Sequence, residues 1–176
     1  MTVRMSEEEY EKLQQQCGNA SEQLDIDDLR GPSADYDRAV AIDPGTDTGL
    51  AYTDGDQVVT ETSDFWGAID DLMRPAGVLG TIPHDQIVVI LEAPYKSRQS
   101  MGRKPAIAYN SGGVAREAEL MAERLSEKFE VVEHDPSRQG KKWDSQAAHH
   151  FIDQWDGPDN EHVRDALRLL FFYNFI

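Results

Sequence analysis

The stretch Ala39-Val40-Ala41-Ile42-Asp43-Pro44-Gly45-Thr46-Asp47-Thr48-Gly49-Leu50-Ala51-Tyr52 constrains this chain more than any other. A short apolar run ends in one aspartate, Pro-Gly turns the chain, and apolar residues resume after Gly49. Apolar runs of this length bounded by turn residues read as strands. The pattern predicts a buried strand, a tight hairpin and a returning partner. An acid at the end of a buried strand is costly to desolvate, and a neutralising cation is the usual reason that one persists there.

Two later segments repeat the theme. Gln86-Ile87-Val88-Val89-Ile90-Leu91-Glu92-Ala93-Pro94 is an apolar run closed by one acid, with the length of a strand buried on both faces. Glu161 to Leu170 reads as a helix, in which His162 and Asp165 stand three apart and share a side. Asp43, Glu92 and Asp165 each sit in an apolar setting. Brought together by a fold, they make a carboxylate site suited to hard divalent cations.

The remaining elements follow from turn and cap signals. Strands are expected at Arg38–Asp43, Thr48–Thr53, Gln57–Thr62, Gln86–Glu92 and Glu130–Glu133. Helices are expected from a cap at Ser63 or Asp64 to Met73, over Ile107–Lys128, over Trp143–Trp155, and from near Asn160 toward Phe172. Three antiparallel strands followed by helix-separated strands make an α/β fold, a mixed five-stranded sheet with helices on both faces. Residues 1–37 form an acidic N-terminal extension, helical or partly mobile, with Gly31-Pro32-Ser33 as its linker signal.

Composition narrows the classes. No run of roughly 18 apolar residues exists, so no membrane span is expected. Met1 to Tyr10 is acidic and lacks the apolar region of a signal peptide, which predicts a cytoplasmic address. The single Cys17 excludes an intrachain disulfide and cysteine-based zinc sites. The formal net charge of −16 opposes phosphate binding. Asp outnumbers Glu and Arg outnumbers Lys, a balance that suits a halophilic source, where salt screens bulk repulsion. Two acid-free basic islands stand out in this background. Tyr95–Pro105 carries Lys96, Arg98, Arg103 and Lys104, and Ser137–Trp143 carries Arg138, Lys141 and Lys142. Both are candidate contacts to DNA phosphate.

The Asp-Pro-Gly-(three residues)-Gly opening, the mid-chain strand ending in Glu92 and the C-terminal His162-x-x-Asp165 helix resemble RuvC-type Holliday junction resolvases of the ribonuclease H-like superfamily. The resemblance runs from about residue 37 to the C-terminus. It implies a ribonuclease H-like nuclease domain over 38–176, with Asp43, Glu92, His162 and Asp165 as catalytic and metal-binding residues. It implies two Mg²⁺ ions per site, for which Mn²⁺ substitutes, roughly 4 Å apart in a two-metal hydrolysis. In that scheme Asp43 is shared between the metals, Glu92 and Asp165 each hold one, and His162 binds a metal or the attacking water. It further implies a homodimer that nicks branched DNA, in the cytoplasm of a cell or, for a virus-encoded protein, of its host. A recombination helicase is a candidate partner that no residue specifies.

Other functions remain open at this level. Ribonuclease H-like enzymes acting on RNA or RNA–DNA hybrid use the same acids, and a non-catalytic nucleic-acid-binding protein keeps the same fold. Asp-x-Gly-Thr-x-x-Gly also resembles the phosphate loop of the actin and sugar-kinase superfamily, whose two lobes need about twice this length. His149-His150 with Asp153 is set aside as a metal site, because adjacent helical histidines point to different sides.

Overall fold

The structure, a computed structural model, describes residues 36, 38–54, 57–74, 83–96, 105–138, 142–152, 155–173 and 175–176. Its strands are β1 (Arg38–Asp43), β2 (Thr48–Asp54), β3 (Gln57–Ser63), β4 (Ile87–Glu92) and β5 (Glu130–His134). Its helices are α1 (Phe65–Met73), α2 (Pro105–Leu125), α3 (Ser145–Phe151) and α4 (Glu161–Phe172). The strands form one sheet in the order β3-β2-β1-β4-β5. The pairs β1–β2 and β2–β3 are antiparallel, while β1–β4 and β4–β5 are parallel. This is the ribonuclease H-like arrangement expected from the sequence.

Strands β1 and β4 are apolar almost throughout because helices cover both faces of the sheet centre. Val40, Ile42, Val89 and Leu91 pack on one face with α1 and α2. Ala39, Ala41, Val88 and Ile90 alternate to the other face, against α3 and α4. Helix α4 supplies Val163, Ala166, Leu167 and Leu170 to that second layer. Tyr36, the one described residue of the N-terminal extension, packs there too.

Side-chain caps set several helix starts. Asp64 accepts from the Gly67 N–H at 2.7 Å and opens α1. Asn160 accepts from the Val163 N–H at 3.0 Å, and its own amide donates to Thr62 Oγ1 at 2.8 Å. The start of α4 is thereby tied to the end of β3.

Two helices depart from expectation. Helix α2 begins at Pro105, whose missing N–H costs nothing in a first turn, and ends at Leu125. Helix α3 is shorter than the expected Trp143–Trp155. Asp144 caps it by accepting from the Ala147 N–H at 2.8 Å, which leaves Trp143 outside to stack on Phe151. Beyond Phe151 the chain leaves the helix, and the Trp155 indole N–H donates to Thr60 Oγ1 at 2.9 Å. Among the described residues no helix is long and apolar enough to cross a membrane.

Candidate functional site

Parallel pairing places the C-terminal ends of β1, β4 and β5 at one edge of the sheet, where open α/β sheets form their binding crevice. Ile42 pairs with Leu91, so Asp43 and Glu92 follow side by side at the next position. Both continue the alternation of Ala41 and Ile90, and so belong to the α4 face. Glu92 in turn pairs with His134 at the end of β5.

Helix α4 brings the other two residues. His162 Nδ1 and Asp43 Oδ2 share a hydrogen bond of 2.7 Å. Two glycines permit this approach. Gly49 pairs with Asp43 across the hairpin, and a Cβ there would lie 2.3 Å from the His162 carbonyl oxygen. A Cβ on Gly45 would lie 2.7 Å from His162 Cε1. The hairpin between them is closed by the Thr48 hydroxyl, which donates to the Gly45 carbonyl at 3.1 Å.

Asp165 lies one turn further along α4 and is 1% exposed. Its Oδ2 is 2.7 Å from Lys142 Nζ, and its Oδ1 is 3.4 Å from Arg168 Nη2. Neither oxygen makes a well-formed hydrogen bond with another described residue. Arg168 is itself 5% exposed, so a fixed buried cation stands beside the buried acid. Lys142 also contacts Glu161 Oε1 at 2.5 Å.

The acids feel one another. Burial, then the charges of Asp43 and Asp165, push Glu92 up to about 8. Burial likewise raises Asp43 above the usual carboxylate range; the His162 bond offsets part of this, and Asp165 adds to it. His162 is raised in turn, first by its bond to Asp43. Burial works against the Lys142 ammonium, but its contacts with Asp165 and Glu161 prevail and keep it charged.

The four residues singled out by sequence therefore meet at one end of the sheet. Among the described residues, however, no three His, Cys, Asp or Glu side chains are disposed as a ready-made metal cage. In this arrangement His162 holds Asp43, while Lys142 and Arg168 hold Asp165.

The basic islands are only partly represented. Lys96 sits in the turn after β4 and pairs with Glu133 Oε2 at 2.8 Å, and the Tyr95 hydroxyl donates to the same oxygen at 2.6 Å. Arg138 is exposed in the turn after β5. Arg98, Arg103, Lys104 and Lys141 lie outside the described residues.

Sequence reasoning did not single out Arg168 or His134. Arg168 left a signal, being a cation three residues after Asp165 and hence on its side of the helix. His134 is buried at 2% exposure, and burial lowers it to about 4. Its Nδ1 is 3.0 Å from the Tyr173 hydroxyl. Its place at the end of β5, in register with Glu92, was the available hint. No protein-family model matches this chain, and no curated protein sequence is significantly similar to it.

Proposed function

We propose that this chain is a metal-dependent endonuclease of the RuvC type that hydrolyses phosphodiesters in branched DNA and works as a homodimer. The observation that carries this reading is the meeting of Asp43, Glu92 and Asp165, from β1, β4 and α4, where burial and the Asp165 charge raise Asp43, and burial and the charges of Asp43 and Asp165 raise Glu92. Carboxylates that resist ionising together are relieved by divalent cations as readily as by protons. The donor set is all oxygen with one imidazole, which suits Mg²⁺ and Mn²⁺. The buried Asp165 oxygens, without well-formed hydrogen bonds, have coordination capacity to offer.

Asp43, Glu92 and Asp165 would hold the ions, with His162 beside them. Bound divalent ions supply Lewis-acid stabilisation of phosphate charge and lower the pKa of water. Through its Nδ1 bond to Asp43, His162 would orient that carboxylate and could carry a proton for the reaction. The Asp43–His162 pair and the buried Arg168 keep the acids at the sheet end before substrate arrives, which is the preorganisation that electrostatic catalysis needs. Lys96 and Arg138, in the turns after β4 and β5, and Lys142, beside Asp165, would serve as positioning cations for the DNA backbone. High salt, for which the acidic composition is suited, weakens bulk repulsion of DNA while leaving such short contacts in place.

The test is incubation of the purified protein with a four-way junction, a linear duplex and an RNA–DNA hybrid, with Mg²⁺ or Mn²⁺ in molar salt. Symmetrical nicks confined to the junction are expected. Cleavage confined to the hybrid would reassign the substrate within the same fold, and no cleavage of any of the three would reject the enzyme.

A further inference from the structure

We propose that Lys142 is the built-in counter-cation of this carboxylate site, and that a divalent ion enters by exchange with its ammonium group. The inference rests on the acid site of the proposed nuclease and adds a residue that sets its metal affinity. Three observations support it.

The first is position. Lys142 Nζ lies 2.7 Å from Asp165 Oδ2, a carboxylate of the acid group buried to 1% exposure. Its charge also reaches Asp43 and Glu92, where it favours the ionised form. One ammonium thus neutralises part of all three acids, as a bound cation would.

The second is mobility. Two cations contact Asp165, and they differ in freedom. The Arg168 side chain is 6% exposed and cannot leave without opening the core, whereas the Lys142 side chain is 60% exposed. Lys142 also has a second anchor on the solvent side, Glu161 Oε1 at 2.5 Å, on a side chain 63% exposed. An ammonium displaced from Asp165 keeps that partner, or turns outward to a phosphate.

The third is aim. The backbone next to Lys142 is fastened to α4, because Arg164 Nε donates to the Trp143 carbonyl at 3.2 Å. Trp143 is held in turn between Phe151 and Phe171. The base of the lysine is fixed by packing, and only its flexible stem needs to move.

Mn²⁺ binding to the full chain, read by calorimetry at pH 8.5 for the wild type, Lys142→Met and Lys142→Arg, tests this. Lys142→Met keeps the stem and removes the charge. It is expected to bind Mn²⁺ about tenfold tighter than the wild type, the scale of deleting one unit charge beside a divalent ion in a partly solvated site. Lys142→Arg is expected to stay near the wild-type affinity. In EDTA, Lys142→Met is expected to unfold at a lower temperature than the wild type and to gain more on adding Mn²⁺. Unchanged or weaker Mn²⁺ binding by Lys142→Met, with wild-type binding intact and lost in Asp43→Asn, overturns the exchange while leaving the acid site standing. Absence of Mn²⁺ binding in every variant overturns the metal site and the exchange together.

Discussion

His162 Nδ1 lies 2.7 Å from Asp43 Oδ2, although 119 positions separate the two residues in the chain. The contact joins the first strand to the last helix. It exists because Gly49, the cross-strand neighbour of Asp43, carries no side chain where the first turn of α4 settles. The hairpin glycines therefore belong to the site as much as to the turn.

Substitution Gly49→Ala puts a Cβ 2.3 Å from the His162 carbonyl, a backbone atom that cannot swing away. We expect a loss of about 2 kcal/mol or more in stability, as for overpacked cores, together with loss of cleavage. Gly112→Ala is the control. A Cβ there meets nothing within 4 Å inside α2, so a gain of up to about 1 kcal/mol is expected. Chemical denaturation of both variants decides the matter, and equal midpoints would remove the packing argument.

Asp43→Asn keeps shape and removes charge. Cleavage of a four-way junction should fall at least about 1000-fold, the scale on which a preorganised electrostatic group contributes to catalysis. Junction affinity in Ca²⁺ should stay largely intact. Equal loss of binding and cleavage would show that Asp43 serves the structure and not the reaction.

The metal-free protein should lose stability as pH rises above 6.5. Folded Glu92 keeps a proton up to about 8, whereas the unfolded side chain releases it near 4.5. Between those values the folded state binds more protons, so stability falls with increasing pH. His162 acts in the same direction, since its raised value stabilises the fold below 6.5 and that contribution is lost as pH climbs through the folded value. Buried His134, held at about 4, works the other way up to 6.5, so the comparison starts above that value: a fall of roughly 5 °C in Tm between pH 6.5 and 8.5 is expected in EDTA. Excess Mg²⁺ should restore most of it, and Glu92→Gln should flatten the slope. A wild-type Tm that rises with pH across this window would contradict the coupling of the three acids.

Arg168 and Asp165 form a buried pair that Lys142 joins from the solvent side, so removing the arginine leaves Asp165 with one cation in place of two. Arg168→Met should cost about 2 kcal/mol, less than for a fully uncompensated buried charge because Lys142 remains on Asp165. Adding Asp165→Asn to Arg168→Met should recover a substantial part, because the buried charge then disappears as well. Strictly additive losses in this cycle would mean that the two side chains do not interact.

Much of this architecture was legible from local pattern. Ala39–Ile42 and Ile87–Leu91 announced strands because burial on two faces demands unbroken apolar runs. Asp64 and Asn160 announced helix starts because an exposed first turn needs a side-chain acceptor. Where tertiary contacts competed with local pattern, local pattern failed. Trp143 and Trp155 suggested one long helix, yet ring packing holds the first outside it and a hydrogen bond to Thr60 holds the second. Lys142 illustrates the same limit within the site. As one member of a basic island it suggested a phosphate contact, while its ion pairs with Asp165 and Glu161 on the last helix lay beyond what local pattern shows.

The order of strands and helices, and the identity of the acids that end β1 and β4, were written in short-range periodicity, because each element's burial is decided within its own few residues. Which charge meets which was settled only by folding. Strand register sets Asp43 beside Glu92, the absent side chain of Gly49 admits α4, and packing around Trp143 directs Lys142 onto Asp165. Those contacts span long stretches of chain and fall off within a few ångströms, so no local pattern of residues encodes them.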